Sequence, residues 1–183
     1  TIAEMTQWKT PDKIILSIGG DWLHIDSQDN ATTSWTPQDT DWLYEVAKKR
    51  LIELRLEVIL KLRTVAPVKV INVAGNHDEY SSISIYNMLR ATYNNSNNVS
   101  FNTDKTFEEQ PIANTQKRQA IKKGDNLIAF NHGDKYTSST KHKQIPNDVR
   151  TRYWYMIDKD TKVYVMMWHL HKKIKQQEKV INQ

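Results

Sequence analysis

The chain has no cysteine among its 183 residues, and it has only five glycines and five prolines. The absence of cysteine excludes a disulfide framework, a cysteine-rich zinc site and a thiol nucleophile. No apolar run approaches the roughly 18 residues that mark a transmembrane helix. No signal peptide is visible at the N-terminus. We therefore predict a cytoplasmic protein that makes no membrane contact.

The composition that is present is typical of one globular domain. Hydrophobic residues make up 38% of the chain and charged residues 26%, which is enough to bury a sizeable core. Lys and Arg together number 26 against 21 Asp and Glu, a net charge of +5. This mild positive excess permits contact with phosphate-bearing partners. We expect residues 1–183 to form a single domain.

Alternation of short apolar runs with longer periodic segments predicts an α/β fold with a central sheet flanked by helices. The predicted strands are residues 13–18, 68–74, 99–101, 127–130 and 162–167. One predicted helix runs from Pro37 to about Thr64, and a second covers 81–93. The inward stripe of the first helix is predicted to consist of Trp42, Val46, Leu54, Val58, Leu62 and Val65. Residues 103–118 are polar and receive no assignment. Because strands flank a long helix, a right-handed crossover between parallel strands is expected.

Three tryptophans in the first quarter of the chain need an interpretation of their own. Trp22, Trp35 and Trp42 lie in or near a polar segment. Core or loop packing is the commoner role for such residues, so we predict packing rather than stacking on nucleic-acid bases.

Polar groups follow four of the predicted strands, where open α/β sheets bind their ligands. These groups are Gly20-Asp21, Gly75-Asn76-His77-Asp78, Asn131-His132-Gly133-Asp134 and Trp168-His169-Leu170-His171. Together they supply a carboxylate, an amide oxygen and at least three imidazoles. That mixture of donors suits Mn, Fe or Zn better than Mg or Ca. The pattern therefore predicts a metal site at the strand ends.

In this order, the four groups resemble the calcineurin-like metallophosphoesterases. Their pattern includes Gly-Asp, Gly-Asn-His-Asp, a lone His and His-x-His, and the resemblance covers about residues 12–173. The stretch GGDWLHIDSQDNATTSWTPQDTD and the sequence NHGDK around His132 are similar to the bacteriophage branch. A phage origin would place the protein in the cytoplasm of the host cell.

The resemblance implies a role for each matching residue. Asp21 resembles the carboxylate that bridges two metals, and His171 resembles a ligand of the first metal. Ligands of the second metal would be Asn76, His132 and His169. His77 resembles the histidine beside the scissile phosphate, and Asp78 would orient its ring. His24 is a further candidate for binding substrate or metal.

The family's Asp-x-His block has no counterpart in residues 1–11, and its first strand would precede them. We therefore expect a fragment whose sheet is incomplete at the N-terminal strand. A complete member holds two divalent ions, Mn, Fe or Zn, whereas this chain has ligands for about one.

The implied function is metal-dependent hydrolysis of a phosphodiester or phosphomonoester, by a hydroxide activated between two metals in a complete member. The positive charge and the phage likeness favour nucleic acid or a nucleotide as the substrate. The alternative is a degenerate, catalytically impaired relative that acts as a metal- or nucleic-acid-binding module. The sequence leaves the oligomeric state open.

Overall fold

The computed structural model describes residues 10–102, 117–136 and 143–168. Over these residues the fold is mixed α/β, with two three-stranded sheets and three α-helices. The α/β class predicted from the sequence is confirmed at this level. The expected single central sheet is instead divided into two sheets.

The first sheet is entirely parallel. It consists of β1 (Ile14–Ile18), β2 (Val68–Asn72) and β3 (Val99–Phe101), with β2 in the centre. Ile14 pairs with Val68, and Val68 pairs with Val99. A central parallel strand is covered on both faces, which explains why β2 is an almost continuous apolar run.

The second sheet is mixed. β4 (Arg118–Lys123) and β5 (Asn126–Asn131) form an antiparallel hairpin, and β6 (Lys162–Met167) runs parallel to β5. β4 lies at the end of a stretch that sequence reasoning left unassigned. Its sequence, RQAIKK, is mostly polar, so pairing with β5 rather than hydrophobicity explains the strand.

Three helices complete the described part of the fold. They are α1 (Tyr44–Leu62), α2 (Glu79–Thr92) and α3 (Ile145–Arg152), and a short 3-10 turn follows at Trp154–Met156. α1 begins seven residues after Pro37, so the predicted start of the first helix was wrong. No helix in the described ranges is both long enough and apolar enough to cross a membrane.

The buried face of α1 agrees only in part with the prediction. Leu62 is buried as predicted, and Val58 packs against the core. Leu51, Arg55 and Ile59 also face the core, whereas the predicted Trp42, Val46 and Leu54 are exposed. Apolar residues surround this helix on several sides, so spacing alone did not identify the inward stripe. Arg55 also lies on the face that packs against the sheet, although arginine side chains are rarely buried.

The two sheets lie face to face. Val68 and Val70 of β2 pack under α1 and α2, while Ile71 points the other way, towards Phe130 of the second sheet. On β5, Leu127 belongs to a separate cluster with α3. The order is therefore two helices, first sheet, second sheet and α3, with the alternation of side chains along each strand placing apolar groups on both faces.

Candidate metal centre

The loops after β1 and β2 pass in direct contact. A Cβ atom added to Gly20 would lie only 1.8 Å from the backbone nitrogen of Gly75. A Cβ atom on Gly75 would in turn lie 2.1 Å from Oδ1 of Asp21. Glycine at both positions therefore permits the approach that brings Asp21 to the segment Asn76–Asp78.

Three of the predicted ligands meet at this edge. Nε2 of His132 lies 3.0 Å from Oδ2 of Asp21 and 2.8 Å from Oδ1 of Asn76. The other oxygen of Asp21, Oδ1, accepts a hydrogen bond of 2.9 Å from the backbone N–H of His77. Asp21 follows β1, Asn76 follows β2 and His132 follows β5, so both sheets contribute to the cluster.

The three side chains supply the kinds of donor atom that bind a divalent ion: a carboxylate oxygen, an amide oxygen and an imidazole nitrogen. The distances from His132 Nε2 to the two oxygens, 3.0 and 2.8 Å, are those of hydrogen bonds. Without an ion, a proton on Nε2 can be shared between the two oxygens instead. The donor set therefore fits a divalent ion whose binding displaces that proton.

Other predicted ligands do not add to this cluster in the described ranges. His169 and His171 lie outside the residues that the structure describes. Within those residues, no three His, Asp or Glu side chains are grouped so that they could hold an ion. The described part of the centre is therefore one carboxylate, one imidazole and one amide.

Ionisation of Asp21 is favoured by its surroundings. Burial alone would raise the pKa of Asp21, but hydrogen bonds from His132 and from the backbone N–H of His77 outweigh burial and lower the pKa to about 2. Asp21 is therefore a carboxylate at neutral pH, which is the form that binds a cation.

Asp78 has a different role from the predicted one. Its carboxylate accepts the backbone N–H of Asp21 at 2.9 Å and that of Leu23 at 3.0 Å, and the side chain is fully buried. Nδ1 of the His77 ring lies instead 3.3 Å from the carbonyl oxygen of His24. The prediction that Asp78 orients the His77 ring was therefore wrong. Asp78 fixes the path of the chain after β1.

Arg55 is a buried cation near Asp78 that was not singled out from the sequence. Its side chain is buried, and its three guanidinium nitrogens have no hydrogen-bond partner among the described residues. Burial lowers the pKa of Arg55 to about 10, while the negative charge of Asp78 acts in the opposite direction. Burial also raises the pKa of Asp78, and the charge of Arg55 opposes that rise. The only sequence signal was a cation flanked by leucines inside the run LIELRLEVILKL.

His24 and His77 form a second feature beside the cluster. Their rings stack with centroids 5.0 Å apart and an interplanar angle of 17°. A carbonyl oxygen can only accept, so the contact with His24 assigns the proton of neutral His77 to Nδ1. The structure thus places His24 beside His77, rather than in contact with Asp21 or His132.

The segment 21–35, called the site loop below, has unusual backbone geometry. Asp21, His24, Asn30 and Trp35 all have positive φ, between 52° and 64°. Left-handed backbone costs a bulky side chain roughly 1–2 kcal/mol. Asp26 holds the loop in place, because its carboxylate accepts hydrogen bonds from Thr33 and from the backbone N–H of Ser81.

The tryptophans of this region are on the surface. Trp22 is 56% exposed, Trp35 is 73% exposed and Trp42 is 60% exposed. The prediction that they pack in the core or against loops was wrong. Trp168 differs from these three tryptophans. Its indole lies over Gly19 and stacks on Phe130, with ring centroids 6.2 Å apart.

Comparison with known proteins gives no further identification. The chain matches no protein-family model, and no match to it was found among curated proteins or solved structures.

Proposed function

We propose that the protein is a metal-dependent phosphoesterase of the calcineurin-like class. The observation that carries the proposal is the convergence of Asp21, Asn76 and His132, with donor atoms 2.8 and 3.0 Å apart. The three residues come from the ends of three different strands, and each matches a ligand position of that class. Two face-to-face sheets with helices outside support the same assignment.

Asp21, Asn76 and His132 would hold the ion, which suits Mn, Fe or Zn because imidazole and oxygen donors are mixed. A bound divalent ion would supply Lewis-acid polarisation of the phosphoryl group. His169 and His171 are retained as proposed further ligands on the resemblance. The low pKa of Asp21 keeps the oxygen ligand ionised at neutral pH.

His77 would act on the substrate. With Nδ1–H directed to the carbonyl of His24, Nε2 of His77 remains for the substrate. A protonated ring can stabilise negative charge on the phosphoryl oxygens and give its proton to the leaving oxygen. Asp78 would contribute indirectly, since it holds the backbone of Asp21 and Leu23.

Turnover of bis-p-nitrophenyl phosphate with added Mn²⁺ tests the proposal. We expect weak hydrolysis that chelation abolishes. His77→Ala should lower the rate by about 10²–10⁴-fold, the range for loss of a general acid, while Mn²⁺ binding is retained.

Asn76→Ala should lower both metal affinity and rate, since it removes a donor of the cluster. Asn126→Ala is the matched control, because Asn126 is exposed at the opposite end of β5. Hydrolysis that is unaffected by chelation and by both His77→Ala and Asn76→Ala would contradict the proposal.

A metal-binding protein without turnover is the second candidate. The observation that favours it is the small described donor set, which has no group of three His, Asp or Glu side chains. Mn²⁺ binding that depends on His132, together with no hydrolysis of any phosphate ester, would favour this candidate.

A further inference from the structure

The turn that carries Trp35 is rigidly held. An isolated bridge pairs Ala31 with Pro37, and the backbone N–H of Trp35 donates to the carbonyl of Thr32 at 2.8 Å. The backbone N–H of Thr36 donates to Oγ1 of Thr32 at 3.1 Å. At the tip, Trp35 has a φ of 61° and its side chain is 73% exposed. The backbone that carries this large aromatic ring is thus held in place, and most of the ring is open to solvent.

The same turn is tied to the candidate metal centre. The backbone N–H of Thr33 donates to the carbonyl of His77 at 3.1 Å. Oγ1 of Thr33 accepts the backbone N–H of Glu79 at 2.9 Å. Trp35 is two positions after Thr33, so its Cα lies within about 12 Å of the His77 carbonyl. The backbone that carries the exposed indole is therefore tied to the histidine that would act on the phosphate.

Two more exposed aromatic residues adjoin the centre along the chain. Trp22 directly follows Asp21, and the backbone of its other neighbour, Leu23, is fixed by Asp78. Tyr80 is 68% exposed, and its backbone N–H donates to Asp26 at 2.9 Å. Two segments near the candidate metal centre, the site loop and the start of α2, thus expose three aromatic side chains.

A ligand that would contact both the candidate metal centre and the exposed aromatic side chains is a phosphate ester bearing a flat aromatic group. A nucleotide has this structure, and nucleobases stack on tryptophan whatever their sequence. The exposed carboxylates of Asp29, Asp39 and Asp41 lie on the same stretch of chain as the turn. Their negative charge repels a long polyanionic strand more strongly than a single nucleotide.

We propose that Trp35 stacks on the base of a single nucleotide whose phosphate lies at Asp21, Asn76 and His132. This inference rests on the proposed function for the position of the phosphate. It goes further by naming the nucleoside as the recognised group and Trp35 as the residue that selects it.

Calorimetric titration into the Mn²⁺-loaded His77→Ala variant, which is expected to hold the ion without turnover, tests the inference separately from catalysis. The probes are adenosine 5′-monophosphate and ribose 5-phosphate, which differ only in the base. We expect the nucleotide to bind about tenfold more tightly, a typical effect of one stacked base. Trp35→Gly should remove this difference, and Trp35→Phe should restore part of it. Glycine is suited to a φ of 61°, so the variant is compatible with the native turn.

Trp154→Ala is the matched control, because Trp154 is also 73% exposed but belongs to the 3-10 turn after α3. It should bind both probes as the unaltered protein does. Equal affinity of the two probes, absence of nucleotide binding at millimolar concentration, or unchanged nucleotide binding by Trp35→Gly would overturn the inference. Failure of the proposed function would instead show as absence of Mn²⁺ binding and of ester hydrolysis.

A short oligodeoxyadenylate distinguishes a free nucleotide from a nucleotide within a strand. We expect it to bind no more tightly than the mononucleotide, because of the carboxylates near the turn. Much tighter binding with a steep salt dependence would overturn the single-nucleotide assignment in favour of single-stranded nucleic acid.

Discussion

The two sides of the molecule use different residues where the backbone is left-handed. In the described part of the second-sheet region, the residues with positive φ are Gly124 and Gly133. In the first-sheet region they are the four residues of the site loop, and none of them is glycine. Glycine adopts this conformation without steric cost, whereas other residues do not. The site loop therefore keeps side chains at positions whose backbone conformation glycine adopts more easily.

The cost differs among the four residues of the site loop. Asp, Asn and His are enriched at positive φ, so Asp21, His24 and Asn30 are tolerable there. Trp35 is a genuine outlier, because a bulky side chain gains nothing locally from this conformation. Strained positions of this kind cluster at functional sites. The comparison thus shows that the strained backbone of the described residues is concentrated in the site loop.

The largest expected effect is the loss of the group that holds the site loop. Asp78→Ala leaves the backbone N–H groups of Asp21 and Leu23 without their acceptor and Arg55 without its counter-charge. We expect the free energy of unfolding to fall by about 3–5 kcal/mol. Urea denaturation measures it. Asp39→Ala, at an exposed position, should change stability by no more than about 0.5 kcal/mol. Similar values for the two variants would show that the site loop is held by other contacts.

Lowering the pH should reduce the stability of the folded chain, because it protonates Asp21. Its pKa is lowered from 3.8 to about 2 in the folded chain, so the unfolded chain takes up the proton first as the pH falls. The stability due to ionised Asp21 is complete above pH 4 and is lost towards pH 2. Asp78 acts oppositely, because its raised pKa makes the folded chain prefer the protonated form.

We therefore expect Asp21→Asn to reduce the loss of stability between pH 4 and pH 2 by about 1–2 kcal/mol. Denaturation midpoints across this range measure it, with Asp39→Asn as the control. An identical pH dependence in Asp21→Asn and the unaltered chain would mean that the hydrogen bonds from His132 and His77 do not favour the ionised form.

The smallest effects test the glycine comparison itself. Trp35→Gly relieves left-handed strain but adds backbone freedom to the unfolded chain, so we expect a gain of up to about 1 kcal/mol. Gly124→Ala should lower the free energy of unfolding by about 1 kcal/mol, because a φ of 55° strains any side chain. A Cβ atom there meets open space, so no clash adds to this cost. Thermal melts of both variants give the signs. A loss of stability in Trp35→Gly would show that the indole packs against the protein after all.

Much of the fold could be predicted because its strands are apolar runs. β1, β2 and β6 lie where hydrophobicity placed them, since central and half-buried strands need such sequences. β4 could not be predicted in this way, because it is polar and depends on pairing with β5. The start of α1 was also misplaced, since Thr36-Pro37 has the composition of a helix start but forms part of the Trp35 turn.

The residues of the candidate site could likewise be predicted only in part. Strand ends indicated Asp21, Asn76 and His132, and parallel strands bring their carboxyl ends to one edge. The partners of Asp78 could not be predicted, because they depend on the path of the loop after β1. Arg55 could not be predicted either, since its burial follows from how α1 rotates against the sheet.

The most direct test of the central claim is calorimetric titration of Mn²⁺ into three proteins: the unaltered chain, His132→Ala and His77→Ala. His132 contributes a donor atom to the cluster, whereas the ring of His77 contacts His24. We predict about one ion per unaltered chain, loss of binding in His132→Ala and nearly unchanged binding in His77→Ala. Loss of the ion in His77→Ala with retention in His132→Ala, or no binding by the unaltered chain, would contradict the assignment of Asp21, Asn76 and His132 as the metal centre.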